Sequence, residues 1–249
     1  MSNRLRTVAS IEARMGSSRL PGKVLSDIEG QPALTRLVRR LRRAETLDGI
    51  VLATTTSPAD DALAAWAAAE GVAVYRGSEE DVLHRVVEAQ RSVGGELVVE
   101  VTGDCTLIDP EVIDWGVRSF HANRCDVVAN VVTPSFPMGV DVQVFPLALL
   151  EEVERTVRDP AVREHVSLHF YENQDRYRIV HLLAPARWHA PALRFQLDYP
   201  EDQRFIREVY RRLEPRFGDA FGTLEILALL AAEPHLAEIN RHCEEKAVR

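Results

Sequence analysis

The chain has 249 residues, 46% of them hydrophobic and 27% charged, which is enough material for one large α/β domain or two small ones with a buried core. Thirty Lys and Arg against 38 Asp and Glu leave a net charge of −8, which argues against generic binding to nucleic acid or to an anionic membrane. No apolar stretch reaches the roughly 18 residues that a membrane-crossing helix requires.

The N-terminus, Ser2-Asn3-Arg4-Leu5-Arg6, leads straight into a strand without a signal-peptide apolar core. Residues 7–11 are an apolar run that reads as a buried first strand, followed by a loop over 13–23. Gln31-Pro32 opens a helix over 33–43, with Leu34, Leu37, Val38 and Leu41 on one face. A second buried strand covers 49–54, an Ala-rich helix 60–70 and a third strand 71–75. A helix over 80–93, a strand over 96–102, a helix over 110–123 and a strand over 126–132 follow. From Thr133 the rhythm changes. A loop at 133–139 leads to an alternating strand at 140–145 and helices at 147–157 and 160–173. Strands at 177–183 and 193–197 and helices at 200–212 and 223–230 close the chain. Strands alternating with helices up to about residue 130 imply right-handed βαβ units and a parallel sheet, whose ligands sit at the carboxyl ends of the strands. The expected organisation is one domain over 1–249 with an inserted arm at about 133–190. Cys105, Cys125 and Cys243 are odd in number and widely spaced, so neither a disulfide framework nor a Cys zinc site is expected, and a reducing cytoplasm is the expected location.

The loop carries the chemistry. Ala13-Arg14-Met15-Gly16-Ser17-Ser18-Arg19-Leu20-Pro21-Gly22-Lys23 places three cations among small residues that let backbone N–H groups approach an oxyanion. That combination suits a polyphosphate; its bland counterpart is a solvated basic turn. It is not a Walker A loop, because five residues separate Gly16 from Gly22-Lys23 and Val24 stands where Ser or Thr would bind magnesium. All basic residues except Lys23 and Lys246 are arginine, so a lysine at position 23 marks a place where arginine would not serve.

Two aspartates suit a divalent cation. Asp104, in Thr102-Gly103-Asp104, follows the fourth strand and faces the same crevice as the loop, where a carboxylate can hold Mg²⁺ on a nucleotide. Asp109 directly precedes Pro110 and reads as a helix cap. Asp198 ends a strand ahead of Tyr199-Pro200, where it is either a cap or a second Mg²⁺ ligand. His165 and His169 stand four apart on the expected helix, but HExxH order and a third ligand are missing, which favours a packed or substrate-facing pair over zinc.

The stretch 14–23 resembles the signature loop of the sugar-activating cytidylyltransferases, and within them the spore-coat polysaccharide biosynthesis branch. Val101-Thr102-Gly103-Asp104-Cys105-Thr106-Leu107-Ile108-Asp109-Pro110 resembles that branch's second motif. Gly139-Val140-Asp141-Val142-Gln143-Val144-Phe145, Arg163-Glu164-His165-Val166 and Leu197-Asp198-Tyr199-Pro200-Glu201-Asp202 resemble later ones, and the likeness runs nearly end to end. It implies an α/β fold of the Rossmann-like three-layer αβα type with a mostly parallel sheet, CTP as donor, Mg²⁺ as cofactor, and a homodimer formed through the small inserted arm. On this sequence it implies that Ala13, Arg14, Gly16, Ser17, Ser18, Arg19, Lys23, Thr102 and Asp104 bind the nucleotide, with Asp104 and Asp198 holding the metal.

Three departures stand out: Thr106 where proline is usual, Met138 where arginine is common and Gln143 where glutamate is common. The last two lie where an acceptor would be read, which leaves sugar acids and phosphonates or phosphates open as acceptors. The expected reaction moves CMP from CTP to a small anionic acceptor and releases pyrophosphate. Lys23, Arg14 and Arg19 act on the developing charge, and Arg76, Asp141, Arg163 and His165 are the acceptor candidates. A glycosyltransferase using a nucleotide sugar is the rival, for which Gly103-Asp104-Cys105 lacks a DxD motif; a non-catalytic nucleotide-binding protein is the other.

Overall fold

The computed structural model describes residues 4–244, so Ser2, Asn3 and the tail lysine Lys246 lie outside the described residues. Seven strands form one twisted sheet: β1 (Thr7–Glu12), β2 (Gly49–Thr55), β3 (Ala73–Gly77), β4 (Leu97–Thr102), β5 (Val127–Ala129), β6 (Gln143–Pro146) and β7 (Ile179–His181). Their spatial order is β3-β2-β1-β4-β6-β5-β7, with β6 alone running against its neighbours.

The helices are α1 (Ala33–Leu41), α2 (Asp61–Glu70), α3 (Val82–Ser92), α4 (Pro110–Ala122) and α5 (Leu147–Thr156), then the short α6 (Pro160–Glu164) and α7 (Leu168–Glu172), and finally α8 (Pro200–Phe217) and α9 (Thr223–Ala232). The apolar positions on successive strand residues point to opposite faces, and each face has its own helical cover. Ala9, Ile11, Leu52 and Val99 pack under α1, α2, α4 and α8. Val8, Val51, Ala53 and Val98 pack under α3, α5, α6 and α7. The result is a Rossmann-like three-layer αβα sandwich. The α1 stripe of Leu34, Leu37, Val38 and Leu41 is wholly buried, each side chain contributing roughly 1.5–3 kcal/mol by leaving water.

Residues 133–190 do not leave the sheet, since they supply β6 and β7, and α5 packs back on α3. Two expectations are corrected here. Residues 193–197 form no sheet strand. The segment meets the loop at Met138 instead, where Met138 N–H donates to the Leu193 carbonyl at 3.0 Å and Phe195 N–H to the Met138 carbonyl at 2.8 Å. The helix expected over 160–173 is two helices, because His165 turns extended (φ −115°, ψ 94°) and ends α6. His165 and His169 therefore do not share a helix face. His169 is packed edge-on against Tyr177 and Phe170, and His165 faces elsewhere.

Candidate active site

A cavity of about 650 Å³ opens at the carboxyl ends of β1 and β4. The loop after β1 folds around the Met15 carbonyl, which accepts from the N–H groups of Ser17 and Gly22, both at 3.0 Å. Buried Asp60 fastens it from below, accepting from the Met15 N–H at 2.7 Å. Gly22 takes a left-handed conformation (φ 70°) that starts the tight turn carrying Lys23. On the other side, Gly103 lets the two loops touch: a Cβ there would lie 2.9 Å from the Ala13 Cβ and 3.0 Å from the Glu12 carbonyl oxygen.

Lys23 is the hub. Its Nζ donates to Asp104 Oδ2 at 2.5 Å and to Asp198 Oδ1 at 2.7 Å. Arg19 reaches the same Asp198 Oδ1 at 2.7 Å, and Arg194 holds Asp198 Oδ2 at 2.9 Å. Burial pushes Asp198 up, but Lys23 and Arg19 outweigh it and hold the carboxylate below its usual range. Burial likewise opposes the Lys23 charge, and Asp104 and Asp198 overcome it, so the ammonium is held above its ordinary value.

The two readings of Asp198 separate in the structure. The cap of α8 is made by Asp202, whose Oδ2 accepts from the N–H groups of Asp198 and Tyr199, both at 2.9 Å. Asp198 is thus left with its side chain turned to the cations. Asp109 does cap α4, accepting from Glu111 N–H at 2.9 Å.

Of the residues singled out in the sequence, Ala13, Arg14, Gly16, Ser17, Ser18, Arg19, Lys23, Thr102, Asp104, Asp198 and His165 all line this one cavity. The Thr102 hydroxyl steadies Asp104 Oδ1 at 2.7 Å. Arg76, Asp141 and Arg163 are not among the cavity's lining residues. Arg76 donates to the carbonyls of Thr55 (2.8 Å) and Ser57 (2.9 Å) and pairs with Asp61, which ties down the turn after β2. Arg163 pairs with Asp81 and donates to the Glu154 carbonyl at 2.8 Å. Gln143 faces Glu100 across β6 and β4, and its side chain accepts from Ser167 at 2.7 Å and from Tyr171. Met138 Sδ accepts from Arg194 at 2.8 Å.

Sequence reasoning passed over Glu12 and Arg85, which also border the cavity. A signal was present: Glu12 closes an otherwise uncharged, buried strand, and Arg85 interrupts the buried face of α3 beside Val86. A charged residue at an inward position of an apolar element asks for a reason.

The donor set also fits a divalent cation. Two carboxylate oxygens, one from Asp104 and one from Asp198, already converge on a single positive charge, and hard oxygen donors are what Mg²⁺ takes.

Comparison with known proteins finds likeness over most of the chain. The family model described as Cytidylyltransferase matches residues 8–233. The spore coat polysaccharide biosynthesis protein SpsF of Bacillus subtilis is 33% identical over 232 residues, spanning 91% of this chain and 95% of that one. A 3-deoxy-manno-octulosonate cytidylyltransferase of an Anaeromyxobacter species is 40% identical over 120 residues, 47% of each chain. The solved structure of a cytidylyltransferase from Leptospira borgpetersenii superposes with a TM-score of 0.89 at 26% identity, covering 98% of this chain and all of that one.

Proposed function

The chain belongs to the cytidylyltransferase family and is a CTP-dependent nucleotidyltransferase, and from that premise we propose that it moves CMP from CTP to a small anionic acceptor with release of pyrophosphate, aided by Mg²⁺. The observation that carries the proposal is the single cavity in which the Arg14–Lys23 cations meet Asp104 and Asp198.

In this reading an oxygen of the acceptor attacks the α-phosphorus in line, the bond from the α-phosphorus to the bridging oxygen breaks, and pyrophosphate leaves. Asp104 and Asp198 would hold Mg²⁺, which when bound neutralises charge on the α-phosphate. Lys23 stabilises the charge gathering on the transferring and leaving phosphates; Arg19 and Arg14 bind the β- and γ-phosphates. The backbone of Gly16, Ser17 and Ser18 lets the phosphates approach. Positioning and preorganised charge supply the acceleration, so no nucleophilic side chain is required.

The acceptor is a sugar acid or a phosphonate. His165 on the cavity wall is the candidate best placed to meet it, with Arg76, Asp141 and Arg163 as outer candidates. The name of the Anaeromyxobacter relative supports a sugar acid, while Met138 and Gln143 support a different one from the usual. We further place the chain in the cytoplasm as a single nucleotidyltransferase domain, for which three free cysteines and CTP as donor are the support. Homodimerisation through the arm at 133–190 belongs to the same reading, supported by Leu183 at 57% exposure on that segment.

The test is pyrophosphate release with each of four nucleoside triphosphates, Mg²⁺ and a panel of sugar acids and phosphonates. Release with CTP and an acceptor is the expected result. Release with another nucleotide in preference to CTP, or hydrolysis of a nucleotide sugar in its place, would overturn the reading.

A further inference from the structure

Beyond the phosphate loop, the cavity is bordered by Glu12, and behind it lies a buried polar floor whose role neither the loop nor the metal pair explains. Side-chain alternation puts Ser10 and Glu12 of β1, Glu100 and Thr102 of β4 and Gln143 of β6 on the same face of the sheet. In register, Ser10 lies beside Glu100, Glu12 beside Thr102 and Glu100 beside Gln143. Glu12 borders the cavity, and Glu100 stands directly behind it at 5% exposure. Three buried oxygens on this floor have no hydrogen-bond partner among the described residues: Ser10 Oγ, Glu12 Oε1 and Glu100 Oε2. Buried polar atoms are nearly always satisfied, and an unsatisfied carboxylate oxygen is among the costliest to leave alone.

The charge balance points the same way. Burial raises the proton affinity of both glutamates; Glu100 and Asp104 add to this at Glu12 and Asp141 at Glu100, with Arg85 partly offsetting it at Glu12 and a Ser167 hydrogen bond at Glu100. The nearest cation on the helix above is Arg85, and its guanidinium donates to the carbonyls of Ala53 (3.2 Å) and Ser78 (2.5 Å) without an ion pair to either glutamate. A second anionic group on the acceptor would be repelled here. A hydroxyl would supply a hydrogen bond but no charge. A protonated amine supplies both, with three donors for three waiting oxygens.

Building on the nucleotide reading above, we propose that Glu12 and Glu100 bind a protonated amine on the acceptor, whose anionic oxygen faces the α-phosphorus at Lys23. The acceptor class is then zwitterionic, an aminophosphonate or an amino sugar acid. The reaction that must precede this one is of the class that installs the amine, since the amine is read before the nucleotide is attached.

The experiment is calorimetric titration of the full chain, loaded with Mg²⁺ and α,β-methylene CTP so that no turnover intervenes. Two matched pairs serve as probes: 2-aminoethylphosphonate against 2-hydroxyethylphosphonate, and neuraminate against its deaminated counterpart. In at least one pair the amine member should bind about tenfold tighter, the difference a charge-assisted hydrogen bond makes. In Glu12→Gln and in Glu100→Gln, each measured separately in case one folds poorly, that preference should fall below about threefold while affinity for the nucleotide analogue stays unchanged. Equal or tighter binding of the hydroxyl member in both pairs overturns the proposal, as does the absence of binding by all four probes while the nucleotide analogue binds. A preference that survives both variants overturns the assignment to these glutamates. Failure of the analogue itself to bind would bring down the nucleotide reading, and the amine proposal with it.

Discussion

The backbone N–H of Leu197 donates to the carbonyl of Asp104 at 3.0 Å, and this bond sets the two aspartates of the site side by side across 94 residues of sequence. Because 193–197 is pinned to a loop and not to the sheet, Asp198 emerges beside Asp104 with its carboxylate aimed at Lys23. The Lys23 ammonium fills the space between them, so a divalent cation must compete with it.

That competition has a measurable sign. In Lys23→Met the two carboxylates lose the ammonium between them, and Mn²⁺ titrated without nucleotide should bind about tenfold tighter than to the parent chain, because a competing charge is gone. Turnover should move the opposite way, with kcat falling on the order of 10²–10³, as when one preorganised donor is removed. Calorimetry gives the first number and pyrophosphate release the second. Unchanged kcat would remove Lys23 from the reaction.

Asp202 should be the more important aspartate for folding. It is fully buried, caps α8, pairs with Arg194 at 3.0 Å and accepts from the Asn240 side-chain amide at 2.8 Å. Asp202→Asn removes one of the two carboxylates that neutralise buried Arg194, leaving Asp198 as its remaining partner, so the loss should fall near or below the low end of the roughly 3–5 kcal/mol that breaking a buried pair costs. Urea unfolding should read that loss. Asp198→Asn should lose less stability and far more activity, since Asp198 caps nothing.

Stability should depend on pH through Glu100. Burial, reinforced by Asp141 and opposed by a bond from Ser167, pushes its carboxyl from the ordinary 4.5 up to about 7. The folded chain therefore keeps a proton that the unfolded chain releases, so stability declines as pH rises from 4.5 to about 7 and stays reduced above that. The loss is on the order of 3 kcal/mol at 1.36 kcal/mol per unit. Glu100→Gln removes the group that must ionise. It should be more stable than the parent chain at pH 8 and show little difference near pH 4, compared by urea unfolding at both.

Gly103→Ala tests how closely the two loops must meet. The added methyl would press on the Ala13 Cβ and on a backbone carbonyl, neither of which can rotate away. Overpacking of this kind costs roughly 1–3 kcal/mol. Here it would move the Ala13–Lys23 loop away from Asp104, so KM for CTP should rise about tenfold with a smaller loss of thermal stability, read by steady-state kinetics and a melting curve.

The parts legible in the sequence were those governed by local pattern. Apolar runs broken by a polar turn mark β1, β2 and β4 and their crossover helices, and the Gly-Ser-Arg composition of 13–23 marks a loop that the fold places on the cavity wall. The misjudged parts turn on partners far away in sequence. Residues 193–197 have a strand's composition, but β7 takes the place beside β5, and the segment pairs with Met138 instead. The break in 160–173 has no internal Gly or Pro to announce it; it falls at His165, which leaves helical geometry where it borders the cavity. Glu12 and Glu100 were hidden for the opposite reason. Glu100 sits inside, and Glu12 at the end of, a run that reads as a core strand, and only the register between β1 and β4 reveals that they adjoin.

The lone antiparallel strand reverses polarity in the middle of the sheet. β1 and β4 border the cavity with residues at their exits, Glu12 and Thr102, whereas β6 runs the other way and brings its entrance, Gln143, beside Glu100 behind that wall. A substitution at the entrance of β6 therefore changes what backs the cavity without replacing any residue that lines it.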